Sequence, residues 1–111
     1  MGFIKKEENL VQSFENGTIS YLLGHSEEMT VVRSIRPAGL TFAPHQHPEA
    51  QVYYIVRGKM EITAGDETKM MEEGDTWIIA GDVPHGGRTL EETEEIEVFT
   101  PGRPDLAQKY K

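Results

Sequence analysis

The chain has 111 residues, of which 37% are hydrophobic and 27% charged, and its formal net charge is −8 at pH 7. This length predicts one domain over residues 1–111, and this mixture predicts a packed core and excludes a disordered chain. The acidic balance excludes nucleic acid as an expected partner, because phosphate backbones would be repelled, and the absence of cysteine excludes disulfides and thiolate chemistry.

The first ten residues contain two lysines and two glutamates and no long apolar run. A signal peptide needs an apolar run of this kind, and a membrane-spanning helix needs about 20 apolar residues. The sequence therefore predicts neither a signal peptide nor a membrane partner, and a cytoplasmic protein is expected.

Turn-forming residues recur along the chain, mostly at the intervals of about 8 to 12 residues that are typical of all-β sandwiches and barrels. Between the turns lie runs rich in β-branched and aromatic residues, which fit pleated strands. A helix is expected only at the C-terminus, as a short element within residues 104–110. The runs predicted as strands are TISYLL (18–23), TVVRSI (30–35), QVYYIV (51–56), KMEITA (59–64), DTWIIA (75–80) and EIEVFT (95–100).

Two hairpins are predicted in the middle of the chain, one turning at residues 57–59 and one at residues 64–66. Each turn contains a glycine, which adopts positive φ at little cost. So many short strands close most simply as an antiparallel β-sandwich or jelly-roll barrel, an all-β fold. The edge strands of such a sheet favour pairing with a second copy, so a homodimer is expected.

Two polar features are interpreted as solvent-exposed. The acidic run EETEEIE covers residues 91–97, and a charge run of this kind is typical of a solvated loop and strand edge. This interpretation covers Glu91, Glu92, Glu94 and Glu95. His25 lies in the turn LGHSEE, without other candidate ligands nearby, and is interpreted as a surface or turn residue.

The other three histidines form a pattern that is typical of metal ligands. His45 and His47 lie two residues apart, so in a strand their side chains would share one face. His85 follows a proline between two glycine turns. Neutral imidazoles bind divalent ions such as zinc well. A proline interrupts the strand after His47, so alternation alone leaves the next ligand open between Glu49 and Gln51.

These segments resemble the two motifs of the cupin family. The first motif has a glycine, five residues, His-x-His, three or four residues, a glutamate, six residues and a glycine. Here it reads GLTFAPHQHPEAQVYYIVRG over residues 39–58, with Gln51 at the glutamate position. The second motif has a glycine, five residues, Pro-x-Gly, two residues and a histidine. Here it reads GDTWIIAGDVPH over residues 74–85, with Ala80 in place of the proline and Asp82 in place of the glycine.

The resemblance implies a divalent metal cofactor held by four residues, and it places Glu49 in the turn between ligands. A glutamine would bind through its neutral amide oxygen and leave the +2 charge of the ion uncompensated. A metal held in this way favours acid–base chemistry on an oxygen-rich anion over redox chemistry, and Zn, Ni, Mn and Fe(II) all fit the ligand set. The implied metal ligands are His45, His47, Gln51 and His85.

The last predicted strand contains a glutamate that alternation alone cannot place. Glu97 and Phe99 share one face, opposite to Ile96 and Val98. If the two aliphatic residues pack in the sandwich or against a partner, Glu97 faces the barrel interior as a candidate general acid or base. The alternative is an outward-facing glutamate at the end of the acidic run.

The same strand resembles the tail of small cupins that open the ring of 4,5-unsaturated uronates in pectin and alginate breakdown. Their tail reads Asp-Val-Phe-x-Pro-x-Arg, and this chain has EVFTPGR over residues 97–103. The resemblance implies three catalytic residues. Glu97 is an acid/base group, Phe99 forms a pocket wall and Arg103 contacts the carboxylate of a small anionic sugar. Arginine suits bidentate carboxylate binding, although Arg103 could instead form a surface salt bridge.

The sequence therefore leaves three candidate functions open. The resemblance favours a metal-dependent lyase or isomerase that converts the cyclic unsaturated uronate to the linear 5-keto-4-deoxyuronate. A cupin dioxygenase or a polyketide-type cyclase would use the same metal site. A non-catalytic metal- or sugar-binding cupin is disfavoured, because such modules are usually fused to a DNA-binding domain. A chain of 111 residues with a net charge of −8 is expected to have neither the room nor the surface for one.

Overall fold

Ten strands and one short α-helix follow each other along residues 2–111, the part of the chain that the computed structural model describes. All six predicted runs are strands, and four further strands lie outside those runs. The strands are β1 (Leu10–Ser13), β2 (Ile19–His25), β3 (Thr30–Arg36), β4 (Thr41–His45), β5 (Ala50–Arg57), β6 (Lys59–Ala64), β7 (Glu67–Glu72), β8 (Thr76–Ile79), β9 (His85–Thr89) and β10 (Thr93–Thr100). The helix is α1 (Pro104–Ala107), and a 3-10 turn, Lys6–Glu8, precedes β1.

The strands form two antiparallel sheets that face each other. One sheet has six strands in the order β1-β2-β3-β10-β5-β8, and the other has four in the order β4-β9-β6-β7. The predicted antiparallel β-sandwich is therefore confirmed. β10 lies in the middle of the larger sheet, between β3 and β5, so its inward-facing residues point at the centre of the molecule.

The first predicted hairpin, at residues 57–59, is wrong. β5 belongs to the six-stranded sheet and β6 to the four-stranded sheet, so the chain crosses between sheets at Gly58. Gly58 has a φ of 101°, and the backbone of Glu92 and Thr93 occupies the space that a β-carbon would need. The second predicted hairpin is confirmed, because β6 pairs with β7 and Ala64 lies opposite Glu67.

Two apolar clusters fill the space between the sheets. The larger one contains Tyr53, Ile55, Met60, Ile62, Ala64, Met71 and Ile79. The smaller one contains Val32, Phe99 and Tyr110, with Leu22 and Leu106 packed against it. The interior residues of β5 and β10 follow the predicted alternation, and this brings polar side chains into the gap between the two clusters.

The C-terminal segment closes one end of the sandwich. The helix predicted within residues 104–110 is confirmed but shorter, since α1 ends at Ala107. The Tyr110 hydroxyl lies 2.7 Å from the hydroxyl of Ser20, and the backbone of Lys111 exchanges two hydrogen bonds with Val11 of β1. Within residues 2–111, no helix is long and apolar enough to cross a membrane.

Candidate metal centre

Three histidines converge where β4 and β9 meet. His45 ends β4 and His85 begins β9, and the two residues lie directly opposite each other in the antiparallel register, with ring centroids 4.4 Å apart. His47 completes the group, 5.0 Å from the His85 ring. One ligand nitrogen from each ring lies within 4.8 Å of the other two, so the three could hold one metal ion.

His47 reaches this position by a different route from the one predicted. β4 ends at His45, so His47 lies in the following turn and strand alternation does not determine its direction. The carbonyl oxygen of His47 accepts a 2.8 Å hydrogen bond from the amide of Asp82. The turn before β9 therefore fixes the turn after β4, which brings the two histidine-bearing segments together.

The Nδ1 atom of each histidine faces a backbone carbonyl oxygen two residues away. The distances are 2.9 Å from His85 to Val83, 3.0 Å from His47 to Glu49 and 3.4 Å from His45 to Ala43. A carbonyl only accepts, so Nδ1 carries the proton and Nε2 keeps its lone pair. Such hydrogen bonds fix the tautomer and ring orientation of metal-bound histidines.

The Nε2 atom of His85 supports a metal at this position. The side chain of His85 is buried, and within residues 2–111 its Nε2 atom has no hydrogen-bond partner. Burial also lowers the pKa of His85, so the ring stays neutral, as a ligand must be. A buried lone pair without a donor is costly, and a divalent cation would satisfy it. The residues therefore fit the metal that the cupin resemblance implies.

Gln51 faces the position between the three histidines, whereas Glu49 does not. The Oε1 atom of Gln51 lies 3.0 Å from Nε2 of His47, so one ion could bind both atoms. The carboxylate of Glu49 instead lies 3.5 Å from Nδ1 of His47 and 3.6 Å from Nε of Arg103. Glu49 therefore sits behind His47 rather than facing the cluster.

Glu97 points into the interior, next to Gln51. Its side chain is mostly buried, and its Oε2 atom accepts a 2.6 Å hydrogen bond from Nε2 of Gln51. Its other oxygen, Oε1, lies 3.1 Å from a guanidinium nitrogen of Arg36. The outward-facing alternative for Glu97 is thus wrong. Alternation along β10 turns Glu97 and Phe99 inward and Ile96 and Val98 outward.

Glu95 corrects the interpretation of the acidic run. Its side chain is 0% exposed and pairs with Arg36, so it is neither solvated nor at an edge. Burial, together with the charge of Glu97, raises the pKa of Glu95. Burial by itself would lower the pKa of Arg36, but the nearby carboxylates of Glu95 and Glu97 outweigh this effect and raise it. Glu91 and Glu92 are exposed, as expected.

A cavity of about 160 Å³ opens beside the histidines. Phe99 forms part of its wall, edge-on to His47 with ring centroids 5.5 Å apart. The guanidinium of Arg103 lies over the Phe99 ring, 4.9 Å from its centroid, and pairs with exposed Asp105 at 3.2 Å. Arg103 therefore lines the cavity and also forms the surface salt bridge that was its alternative. The residues that line the cavity include His45, Gln51, Glu97, Phe99, Arg103, Arg36 and Tyr110.

A family model described as a cupin domain matches residues 31–100. The chain belongs to the cupin family. Asp82, which occupies the glycine position of the second cupin motif, has a φ of 62°, a region that aspartate tolerates better than most residues. This explains how the cupin turn before His85 forms without the glycine.

Individual relatives add detail to this cupin assignment. The chain is 34% identical to H2HPP isomerase of Bacillus subtilis over 88 residues, which are 77% of this chain but 36% of that protein. It is 25% identical over 102 residues to the pectin degradation protein KdgF of Dickeya dadantii (strain 3937), covering 90% of this chain and 93% of that one. The solved structure of KdgF from Halomonas sp. is 27% identical, with a TM-score of 0.86 and coverage of 95% and 99%.

Sequence reasoning missed two residues of this cupin site, Arg36 and Glu95. Glu95 has the same parity as Glu97 and Phe99, so alternation along β10 could have placed it in the interior. Arg36 could be placed only by the pairing of β3 with β10, where it lies opposite Thr93. His25 lies at the end of β2, 2.8 Å from the Thr30 hydroxyl, outside the cluster as expected.

Proposed function

We propose that this cupin is a metal-dependent enzyme that opens the ring of a 4,5-unsaturated uronate to the linear 5-keto-4-deoxyuronate. The observation that carries the proposal is the position of Glu97, a carboxylate that lines the same cavity as His45 and Gln51. The similarity to the pectin degradation protein KdgF over nearly the whole of both chains supports a role in pectin breakdown.

The proposed reaction moves one proton and breaks one bond. The ring opens when the hydroxyl at C1 gives its proton to Glu97 and the C1–O5 bond breaks, which leaves an aldehyde at C1 and an enolate at C5. The enolate becomes the ketone when Glu97 delivers this proton to C4. The product is thus an isomer of the substrate, and Glu97 is the group that accepts and returns the proton.

The remaining residues hold and orient the reactants. His45, His47, Gln51 and His85 would hold a divalent ion, which when bound supplies a Lewis acid that acidifies a substrate hydroxyl. Arg103 contacts the substrate carboxylate through its fork of N–H donors. Phe99 stacks against the guanidinium of Arg103 and forms a wall of the cavity beside His47.

The test follows the ultraviolet absorbance of the enol ether, which disappears when the ring opens. We expect metal-loaded protein to remove this absorbance much faster than buffer. Glu97→Gln, measured at saturating metal, should lower kcat by about 100-fold or more. Glu94→Gln, on the outward face of the same strand, is the matched control. A fully metallated protein that is no faster than buffer would exclude this function.

A second candidate is the isomerase activity named for the Bacillus subtilis relative. Its support is the 34% identity, although the chain spans only about a third of that protein's length. An isomerase that moves a proton would use an acceptor beside the proposed metal position, so the same residues would serve. Turnover of H2HPP without turnover of the unsaturated uronate would favour this candidate. Oxygen uptake by the Fe(II)-loaded protein would instead favour a dioxygenase.

We also propose that the working form is a homodimer. The support is the outward face of the six-stranded sheet, which is largely apolar and includes the exposed residues Ile78 and Tyr54.

A further inference from the structure

The amide of Gln51 lies between the histidines and Glu97. Its Oε1 atom faces Nε2 of His47 at 3.0 Å, and its Nε2 atom donates to Glu97 at 2.6 Å. Gln51 is 1% exposed, so water does not compete for either end of the amide. The carboxylate can only accept, and this fixes the orientation of the amide with its oxygen toward the proposed metal position.

Two donors hold the Glu97 carboxylate from opposite ends. Gln51 donates to Oε2, and Arg36 donates to Oε1 at 3.1 Å. Only a group with two accepting atoms satisfies both donors. A glutamine at position 97 would turn its NH₂ group toward one of them, so one donor would always meet another donor.

Arg36 is itself held in place by Glu95. The guanidinium uses Nε toward Glu95 and Nη2 toward Glu97, and its plane lies over the Phe42 ring, 4.7 Å from the centroid. The arrangement leaves the negative charge of Glu97 fixed at a short, defined distance behind the amide.

We propose that Glu97 supplies, through Gln51, the negative charge that a glutamate ligand would bring directly to the metal. The hydrogen bond to an anion polarises the amide and makes its oxygen a stronger ligand. Glu97 is thereby a positioning residue for the metal, in addition to its proposed contact with substrate. The inference rests on the proposed metal site and not on the uronate reaction. It also revises the expectation that a glutamine ligand leaves the ion uncompensated.

The experiment compares four proteins by their affinity for Zn²⁺ and Co²⁺, measured by competition with a chelator of known affinity. They are the parent chain, Glu97→Gln, the exchanged pair Gln51→Glu with Glu97→Gln, and the control Glu94→Gln. Glu94 is in the same strand but pairs with Arg33 and Arg57 on the outward face. The visible spectrum of the Co²⁺-loaded proteins reports the ligand set independently of activity.

We expect Glu97→Gln to weaken metal binding about 10- to 100-fold and to change the Co²⁺ spectrum. The exchanged pair restores the hydrogen bond with the charge on residue 51, so its affinity should return to at least the parent value. Glu94→Gln should match the parent. Far-UV circular dichroism of the metal-free proteins checks folding, and Glu97→Gln retains the Arg36–Glu95 pair that supports it.

Two results would overturn the inference. One is a folded Glu97→Gln variant that binds both ions as tightly as the parent. The other is an exchanged pair that binds as weakly as Glu97→Gln, since the charge would then not be the cause. Loss of uronate turnover with unchanged metal affinity would leave the proposed function intact and exclude only this role of Glu97.

Discussion

Arg36 serves two buried carboxylates at once, and its single positive charge offsets only one of their two negative charges. The three groups lie between the sheets, where charges interact more strongly than in water. Glu95 is fully buried and Glu97 lines the cavity, so the excess negative charge is least favourable on Glu95. The raised pKa of Glu95 is the consequence.

This pKa predicts a pH dependence of stability. At pH values above the ordinary pKa of glutamate, the unfolded chain releases the proton of Glu95. The folded chain keeps this proton until the pH reaches the raised pKa. The Glu95 contribution to the free energy of unfolding therefore falls as pH rises through that window. We expect Glu95→Gln to remove this contribution, so that the variant gains stability relative to the parent between pH 4.5 and neutral pH. Urea unfolding of metal-free protein at several pH values measures it.

The control for this prediction is Glu94→Gln, which changes a carboxyl group on the outward face of the same strand. Its difference from the parent should stay nearly constant over the same pH range. If Glu95→Gln runs parallel to the parent at all pH values, Glu95 is ionised throughout, and Arg36 compensates both carboxylates.

Arg103 allows a prediction that separates substrate binding from surface pairing. Arg103→Lys replaces the planar fork by a point charge and removes the stacking on Phe99. We expect the KM for the unsaturated uronate to rise about 10-fold or more, with a smaller change in kcat. Asp105→Asn removes the exposed ion pair and leaves the Arg103 side chain in the cavity, so it should not raise KM. If both substitutions raised KM equally, the role of Arg103 would be limited to its surface salt bridge.

The residues of the site differ in how far the sequence could place them. Motif spacing distinguishes Gln51 from Glu49, because the distance to Gly58 is fixed by the strand between them. Alternation places Glu97 inside, and it would have placed Glu95 there too had the acidic run not suggested solvent. Arg36 could not be predicted, because its role depends on a pairing register across 61 residues.

At the scale of elements, the Gly58 crossing shapes the site. It takes the chain from β5, which carries Gln51, into the opposite sheet, and β6 then pairs with β9, which begins at His85. A hairpin at this point would have kept β5 and β6 in one sheet. Local sequence signals predicted that hairpin because a glycine between two strand runs has the same appearance in a hairpin and in a crossing.

Two glycines with similar backbone angles test the crossing. Gly58 has a φ of 101° and is packed against the backbone of Glu92 and Thr93, whereas Gly74 has a φ of 87° and open space around it. Gly74→Ala should cost about 1–2 kcal/mol for the left-handed conformation alone. Gly58→Ala should cost a further ~1–3 kcal/mol, because the neighbouring backbone must move. Denaturant unfolding measures both, and equal losses would contradict the close packing at Gly58.

At the scale of the whole molecule, the outward face of the six-stranded sheet is largely apolar. Val31, Val98, Val52 and Ile78 lie side by side across four neighbouring strands of its outward face. Ile78 is 70% exposed and Tyr54, in the next row, 40% exposed. A contiguous apolar face with exposed residues of this kind is typical of a contact surface for another protein chain.

Charge favours a second copy as the cover of this face. The chain carries a net charge of −8, so most surfaces of two copies repel each other. At the border of the apolar rows, however, Glu94 is paired with Arg33 at 3.2 Å and with Arg57 at 3.1 Å. The face is therefore apolar with an internally compensated rim, and two copies related by a two-fold axis can join there without repulsion.

We expect the chain to be a dimer by light scattering at micromolar concentration and Val52→Glu to be a monomer. This substitution places a charge in the centre of the apolar row, where dimerisation would bury it unpaired. Thr63→Glu adds the same charge to the exposed surface of the four-stranded sheet and should leave the dimer intact. A Val52→Glu protein that remains dimeric would move the interface away from this face, to one of the sheet edges such as β7 or β8.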